Sequence, residues 1–319
     1  MDMIMSRVDP AFRNDVLRCF EQEVYAIPAR WLYDRAGSEL FEQITDLPEY
    51  YPTRTETGLL ESYSGEVAEM AGSGRAVIEF GSGSSTKTPH LLRAVNPAAY
   101  VPIDISGDFL ADSAAQLQEQ FSNLPIYPLE ADFMRRLNLP DQVSDMPKLG
   151  FFPGSTIGNM IARTSVDLLR FMRETLGEGA QLLIGFDRIK DPDVLIAAYD
   201  DSAGVTAEFS LNLLHRINRE LGGEIAVDKF RHIAEWNDIY ARIEIYLEAQ
   251  ADLDFSIDGS VFSMVRGQRI HIENSHKYGL RDARLMLRAG GWSPVQEWSD
   301  EKDYFSLILV EAHPFKDAP

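Results

Sequence analysis

The 319-residue sequence predicts an α/β protein, a Rossmann-like open sheet with an added α+β domain. Three observations predict it. An apolar strand, a glycine turn and a helix follow one another in residues 76–94. Alternation of strand and helix then continues to residue 187. Beyond 190 the pattern changes to helices followed by short strands with Asp258-Gly259 and Arg266-Gly267 turns, which signals antiparallel pairing.

The turn at 81–83 organises the rest. Ala76, Val77, Ile78 and Phe80 suit a buried strand, and Gly81 and Gly83 follow at once. Open α/β sheets bind ligands beyond the carboxyl ends of their strands, and glycine lets backbone approach a ligand without a Cβ in the way. A dinucleotide turn needs a third glycine where Thr86 stands, and no lysine falls in P-loop register. Glu79, two residues before the G-x-G, makes the stretch similar to the first motif of Rossmann-like S-adenosylmethionine-dependent methyltransferases. An ordinary strand–turn–helix corner remains the plain alternative for three residues alone.

Taken in order, residues 11–26 place Val16, Leu17, Phe20 and Val24 at helical spacing, and Pro28 stops the run. Residues 31–56 are dense in aromatics and prolines, suited to a ligand wall or to a packed cap. A helix is expected over 55–71. A second strand over 99–106 carries Asp104, 21 residues after Gly83, the distance at which a carboxylate reaches both hydroxyls of a ribose. A helix over 109–121 and a third strand over 124–129 follow. Asp132 and Phe133 then offer an acceptor and a ring to an adenine, though Asp132 also suits a helix N-cap. A fourth strand over 149–152 runs into the small-residue loop Pro153–Asn159, which should face the reacting centre. A helix over 165–176 and a fifth strand over 181–187 close the alternation.

Later expectations are helices over 193–201 and 206–221, strands over 242–249, 255–257, 260–265 and 268–273, a helix over 278–289 ended by Gly290-Gly291, and a strand over 304–311. The expected division is 61–189 plus 279–319 as the nucleotide-type domain, and 1–60 plus 190–278 as a substrate domain.

Composition narrows the function. Fifty Asp+Glu against 30 Lys+Arg give a net charge of −20, which repels phosphate backbones, so no nucleic-acid partner is expected. No run of about 18 apolar residues suggests a membrane span. The first residues lack the order of a signal peptide, and Cys19 is the single cysteine, both in keeping with a cytoplasmic protein. Six scattered histidines without an H-x-x-x-H pair suggest no metal site.

Five stretches together carry a resemblance to a known family. They are Tyr33-Asp34 with Gly37-Ser38-Glu39-Leu40-Phe41, Leu47-Pro48-Glu49-Tyr50-Tyr51-Pro52-Thr53-Arg54, Glu79-Phe80-Gly81-Ser82-Gly83, Phe152-Pro153-Gly154-Ser155-Thr156-Ile157-Gly158-Asn159, and Ser275-His276-Lys277-Tyr278. The sequence resembles the histidine Nα-methyltransferases of ergothioneine biosynthesis over residues 12 to about 312. That resemblance implies a class I methyltransferase sheet and three methyl transfers from S-adenosylmethionine to the α-amine of L-histidine, giving hercynine.

By motif, the resemblance places Tyr33, Gly81, Gly83, Lys87, Asp104, Asp132 and Phe133 at the methyl donor. It places Asn159 and Tyr199 at the amino-acid backbone, Tyr50, Glu273 and Ser275 at the imidazole, and Gly154 and the apolar Ile245 elsewhere in the substrate pocket; Tyr33 and Asn159 are the candidate catalytic pair. Tyr33, Tyr50 and Phe209 are candidates to face a growing trimethylammonium. A monomer with no metal is expected. One departure is Ser210, where the family usually has asparagine. Fungal relatives methylate a tryptophan derivative, so another aromatic amino acid is the alternative substrate. A nucleotide-dependent oxidoreductase and a degenerate, non-catalytic binding module are the alternative classes.

Overall fold

The computed structural model describes residues 9–313 and divides the chain into two compact units. One runs to Tyr50 and resumes with Asp191–Asn274; the other comprises Tyr51–Lys190 and the chain from Ser275 onward. The boundary falls at Tyr50/Tyr51 rather than at 60/61 because one unbroken helix, Tyr51–Ala71, opens the second unit. The return falls at Ser275 rather than 279, within the strand Arg269–His276.

The larger unit is built on a seven-stranded sheet. Its order is Trp292–Ser299, Phe305–Ala312, Gln181–Asp187, Lys148–Phe152, Ala76–Phe80, Ala99–Asp104 and Leu129–Glu130. The last five are mutually parallel, and Phe305–Ala312 pairs antiparallel with both of its neighbours. Chain direction through the sheet reverses between Ala76–Phe80 and Lys148–Phe152, so the crevice that binds ligands in such sheets lies beyond those two carboxyl ends.

Side-chain alternation makes three layers. Ala76, Ile78 and Phe80 join Val101, Ile103, Ile308 and Val310 under the helices Ala162–Leu176 and Leu280–Ala289. On the opposite face Val77, Tyr100, Leu183, Leu307 and Leu309 pack on the helices Tyr51–Ala71, Thr88–Val95 and Gly107–Gln120. Both faces are covered, which is why the central strands read as continuous apolar runs.

The third strand is shorter than expected. Only Leu129–Glu130 is regular, with Ile126 forming an isolated bridge to Tyr100. Pro125 and Pro128 bring no N–H to a ladder, which breaks the pairing.

The smaller unit has a four-stranded sheet, Tyr25–Ala26, Arg269–His276, Arg242–Ala249 and Phe230–Asn237, and a hairpin of Leu253–Ile257 with Ser260–Met264. Its helices are Pro10–Phe20, Arg35–Thr45, Pro192–Tyr199 and Val205–Leu221. The first helix stops at Phe20, short of Pro28, and Tyr25 instead pairs parallel with Ile270. Among the described residues, no helix is long and apolar enough to cross a membrane.

One acid is built into the central layer. Glu79, on Ala76–Phe80, is 1% exposed and accepts from Thr88 Oγ1 at 2.8 Å and from the Tyr100 hydroxyl at 2.5 Å. Burial pushes its carboxyl up to about 7 against the pull of those two donors. Folding therefore favours the protonated acid. The associated stability is fully present below about pH 4.5 and is lost as pH rises through about 7. Urea unfolding of Glu79→Gln beside the wild type checks this. The wild type should lose about 2 kcal/mol relative to the variant between pH 5 and pH 8; parallel pH profiles would refute it.

Candidate active site

The glycine turn is held from beneath. The N–H groups of Gly81 and Ser82 both donate to the Ile103 carbonyl, at 2.8 and 3.1 Å. Gly81 and Gly83 have φ of 71° and 50°, the left-handed region that glycine enters without strain. Asp104 closes the turn: its carboxylate accepts the Gly83 N–H and the Ser106 N–H, each at 3.0 Å. The acid chosen from its 21-residue spacing is thus bonded directly to the glycine it was measured from. The space beside Gly83 is open, with no atom within 4 Å of where a Cβ would stand.

Phe133 flanks the same turn. A Cβ on Gly81 would stand 3.4 Å from its ring, which also meets Phe80 and Phe152 edge-on at 6.4 and 5.8 Å between centroids. Asp132, the residue before Phe133, accepts the Met134 N–H at 2.9 Å through its carboxylate. No helix begins there, so an N-cap is not its role.

Glu56 joins the two sides of the crevice. It comes from Tyr51–Ala71, is fully buried, and accepts the Gly154 N–H through both oxygens at 3.0 and 2.9 Å. Lys87, four residues beyond Gly83, donates to the same carboxylate at 2.5 Å. Gly185 makes room for it, since a Cβ there would stand 2.4 Å from the Glu56 oxygen. Two candidate site residues, Lys87 and Gly154, therefore share a partner that sequence reasoning missed.

The loop after Lys148–Phe152 ends in the short 3-10 turn Thr156–Asn159, which carries half-buried Asn159. It is fastened on both sides. Ser155 Oγ accepts the Asp187 N–H at 2.9 Å, and His276 Nδ1 donates to the Gly158 carbonyl at 2.7 Å.

Glu273 and Ser275 are buried two positions apart on Arg269–His276, so their side chains share a face. Behind Ser275 lies a buried charge cluster. Lys277 donates to Ser275 Oγ at 2.8 Å and to Asp187 at 2.7 Å. Asp187 also accepts from the Tyr51 hydroxyl at 2.8 Å and from Lys190 at 2.5 Å. Burial alone would raise the Asp187 carboxyl, but the two ammonium groups override it and hold it below its usual range. Burial also brings Lys190 down to about 8, against the pull of Asp187.

In the smaller unit the candidate aromatics form one cluster. Tyr33 meets Phe41 and Phe209 edge-on at 5.6 and 5.4 Å, Phe41 meets Tyr50 at 6.2 Å, and Tyr50 meets Tyr199 at 6.1 Å. The Tyr199 carbonyl accepts from His232 Nε2 at 2.8 Å, and His232 Nδ1 meets Ser210 Oγ at 2.9 Å. Ile245 is buried on Arg242–Ala249, opposite Ala234. Among the described residues, no group of three or more His, Cys, Asp or Glu is placed to hold a metal ion.

The sheet order, the glycine turn and the acid bonded to it define a class I S-adenosylmethionine-dependent methyltransferase. A solved S-adenosylmethionine-dependent methyltransferase from Clostridium acetobutylicum shares the fold, with a TM-score of 0.52 at 11% identity over 86% of this chain and 99% of that one. The sequence model of the family described as "Histidine-specific methyltransferase, SAM-dependent" matches residues 12–312, and the chain belongs to that family. It is 36% identical over 311 residues to the histidine N-alpha-methyltransferase of Mycolicibacterium smegmatis, covering 94% of each chain. It is 30% identical to ergothioneine biosynthesis protein 1 of Neurospora crassa, over 90% of this chain and 33% of that one.

The Glu56 bridge yields a prediction. Glu56→Gln keeps an acceptor for the Gly154 N–H but leaves Lys87 without its anion. Calorimetry with S-adenosylhomocysteine should show roughly tenfold weaker binding, about 1.4 kcal/mol, in a variant whose circular dichroism is that of the wild type. Unchanged affinity would mean that the bridge does not order the turn.

Proposed function

We propose that this protein transfers methyl groups from S-adenosylmethionine to the α-amine of L-histidine, three in succession, to give hercynine. The observation that carries this reading is the 36% identity, over 94% of both chains, to a histidine N-alpha-methyltransferase. Gly81, Gly83, Asp104, Asp132, Phe133, Lys87 and Tyr33 would take the methyl donor. Three features support that assignment for the turn: open space at Gly83, a fixed carboxylate at Asp104, and the Phe133 ring beside Gly81.

The donor supplies an electrophilic methyl on a sulfonium. The protein's part is alignment and exclusion of water. Asn159, with Gly154 and Tyr199, would fix the amino-acid backbone so that the amine lone pair lies in line with the methyl. The amine must shed its proton before each transfer, and a buried site disfavours the ammonium. Tyr33, or water held by it, would pass that proton outward. Tyr33, Tyr50 and Phe209 would turn ring faces to the growing cation.

Incubation of the protein with histidine and S-adenosylmethionine, followed by mass spectrometry, should show additions of one, two and three methyl groups. Histidine left unmodified would end the proposal.

Selectivity for histidine would come from Glu273 and Ser275, whose carboxylate and hydroxyl suit the N–H and the lone-pair nitrogen of an imidazole. Glu273→Ala should lower kcat/KM for histidine by about a hundredfold, while tryptophan turnover is unchanged or improved. A histidine-to-tryptophan ratio that does not move would show that Glu273 does not read the ring.

A further inference from the structure

Tyr33 stands at a joint of the chain, and one stripe of a neighbouring helix holds both sides of that joint. We propose that Asn212 and Arg219, acting through Asp34, are positioning residues that aim the Tyr33 ring at the acceptor amine. This inference rests on the place of Tyr33 in the proposed reaction. Every residue it uses belongs to the smaller unit.

Tyr33 follows the 3-10 turn Ala29–Leu32 and precedes Asp34, the N-cap of the helix Arg35–Thr45. With φ of −98° and ψ of 56° its backbone continues neither element. The direction of its ring therefore depends on how firmly its neighbours are held. On the N-terminal side, the Trp31 carbonyl accepts from Arg216 Nη1 at 3.0 Å, and the Arg216 guanidinium lies 4.5 Å from the centre of the Phe12 ring. On the C-terminal side, one Asp34 oxygen accepts the Gly37 N–H and the Asn212 amide N–H, each at 2.8 Å. The other oxygen pairs with Arg219. Gly37 lets the helix start directly against the turn, since a Cβ there would stand 1.8 Å from the Leu32 carbonyl oxygen.

Phe209, Asn212, Arg216 and Arg219 follow one another at intervals of three, four and three on the helix Val205–Leu221, so they form one stripe. Phe209 meets the Tyr33 ring itself at 5.4 Å. Serine in place of Asp34 would cap the helix as well, so the cap does not account for a carboxylate with two further partners. Asn212 is 8% exposed, and a buried amide is costly unless it is bonded. An ionised carboxylate only accepts, so the Asn212 NH2 must face Asp34. Arg219 is half exposed and also meets Glu220 at 3.2 Å, so it adds direction to the carboxylate more than strength. Held between an amide and a guanidinium, Asp34 keeps the Tyr33 ring edge-on to Phe41 and Phe209. In-line transfer tolerates little misplacement; about 1 Å can cost roughly a hundredfold in rate. Each transfer also adds a methyl that the ring must accommodate, so an error in ring position tells more as methyls accumulate. Asn212 and Arg219 act at one remove, in contact with Asp34 rather than with substrate.

Single-turnover rates with histidine, Nα-methylhistidine and Nα,Nα-dimethylhistidine as acceptors read the effect. Asn212→Leu keeps the volume and removes the donor. It should slow the dimethyl acceptor roughly thirtyfold and histidine roughly fivefold. A merely structural role would lower the active fraction and slow all three acceptors by one factor. A double-mutant cycle with Tyr33→Ala is the second readout. Without the tyrosine ring, Asn212→Leu should cost less than about twofold more. If Asn212→Leu does not fold, Arg219→Ala carries both measurements, since Arg219 is half exposed. Arg219→Lys, which keeps the charge, should then recover most of the rate. Equal slowing of the three acceptors, or losses that multiply in the cycle, overturn the proposal. A wild type that does not methylate histidine refutes the substrate reading first, and this inference with it.

Discussion

The carboxylate of Glu56 is the constraint on which the catalytic end of the sheet depends. A doubly wound sheet opens a crevice where its strand order reverses, and that crevice is lined by two separate loops. Here they are the glycine turn after Ala76–Phe80 and the loop after Lys148–Phe152. Neither loop bonds the other in the regular way of a sheet, since the ladder between their strands has ended. Glu56 supplies the missing tie, with Gly154 on one side and Lys87 on the other. The helix that carries it is anchored in the apolar layer by Leu59, Leu60 and Val67. Packing of that helix therefore sets the width of the crevice.

A fully buried carboxylate is costly unless it is paired and hydrogen-bonded, and removing one partner is worse than never having had the pair. The sheet end holds three such acids, Glu56, Glu79 and Asp187, and each is satisfied differently. Lys87 neutralises Glu56. Glu79 has the hydroxyls of Thr88 and Tyr100 as partners, and they offset only part of the burial that raises its pKa. Asp187 has two lysines, and its carboxyl is held low. A hydroxyl partner leaves an acid near neutrality, whereas an ammonium partner makes it a permanent charge.

The fold was legible wherever a strand is apolar throughout or alternates cleanly. Gln181–Asp187 and Arg242–Ala249 are found at the bounds read from the sequence. Phe230–Asn237 and Trp292–Ser299 were not foreseen. The first buries only Phe230 and Ala234 fully, and the second is an edge strand with Pro294 at a bulge, so neither shows an apolar period. In the site, Gly81, Gly83 and Asp104 were legible because a turn and its acid lie at a set distance along the chain. Glu56, Asp187 and Lys277 were not, because their partners are distant: 98 residues separate Glu56 from Gly154, and 90 separate Lys277 from Asp187. A single acid or lysine carries no pattern until the fold brings its partner to it.

Ser210 shows how the demand on a side chain can be read from the ring that it meets. Its hydroxyl meets His232 Nδ1, while His232 Nε2 reaches the Tyr199 carbonyl. A carbonyl accepts only, so Nε2 must carry the ring proton, and Nδ1 of the neutral ring then needs a donor. Burial holds His232 below its ordinary pKa, although the Tyr199 carbonyl and Asp200 pull upward, which keeps the ring neutral. Serine supplies that donor through its O–H. An asparagine at this position would supply one through its amide N–H. The requirement at position 210 is therefore a short side chain that can donate. Serine, on Val205–Leu221, meets it, and the carbonyl of Tyr199, the last residue of Pro192–Tyr199, stays bonded to His232.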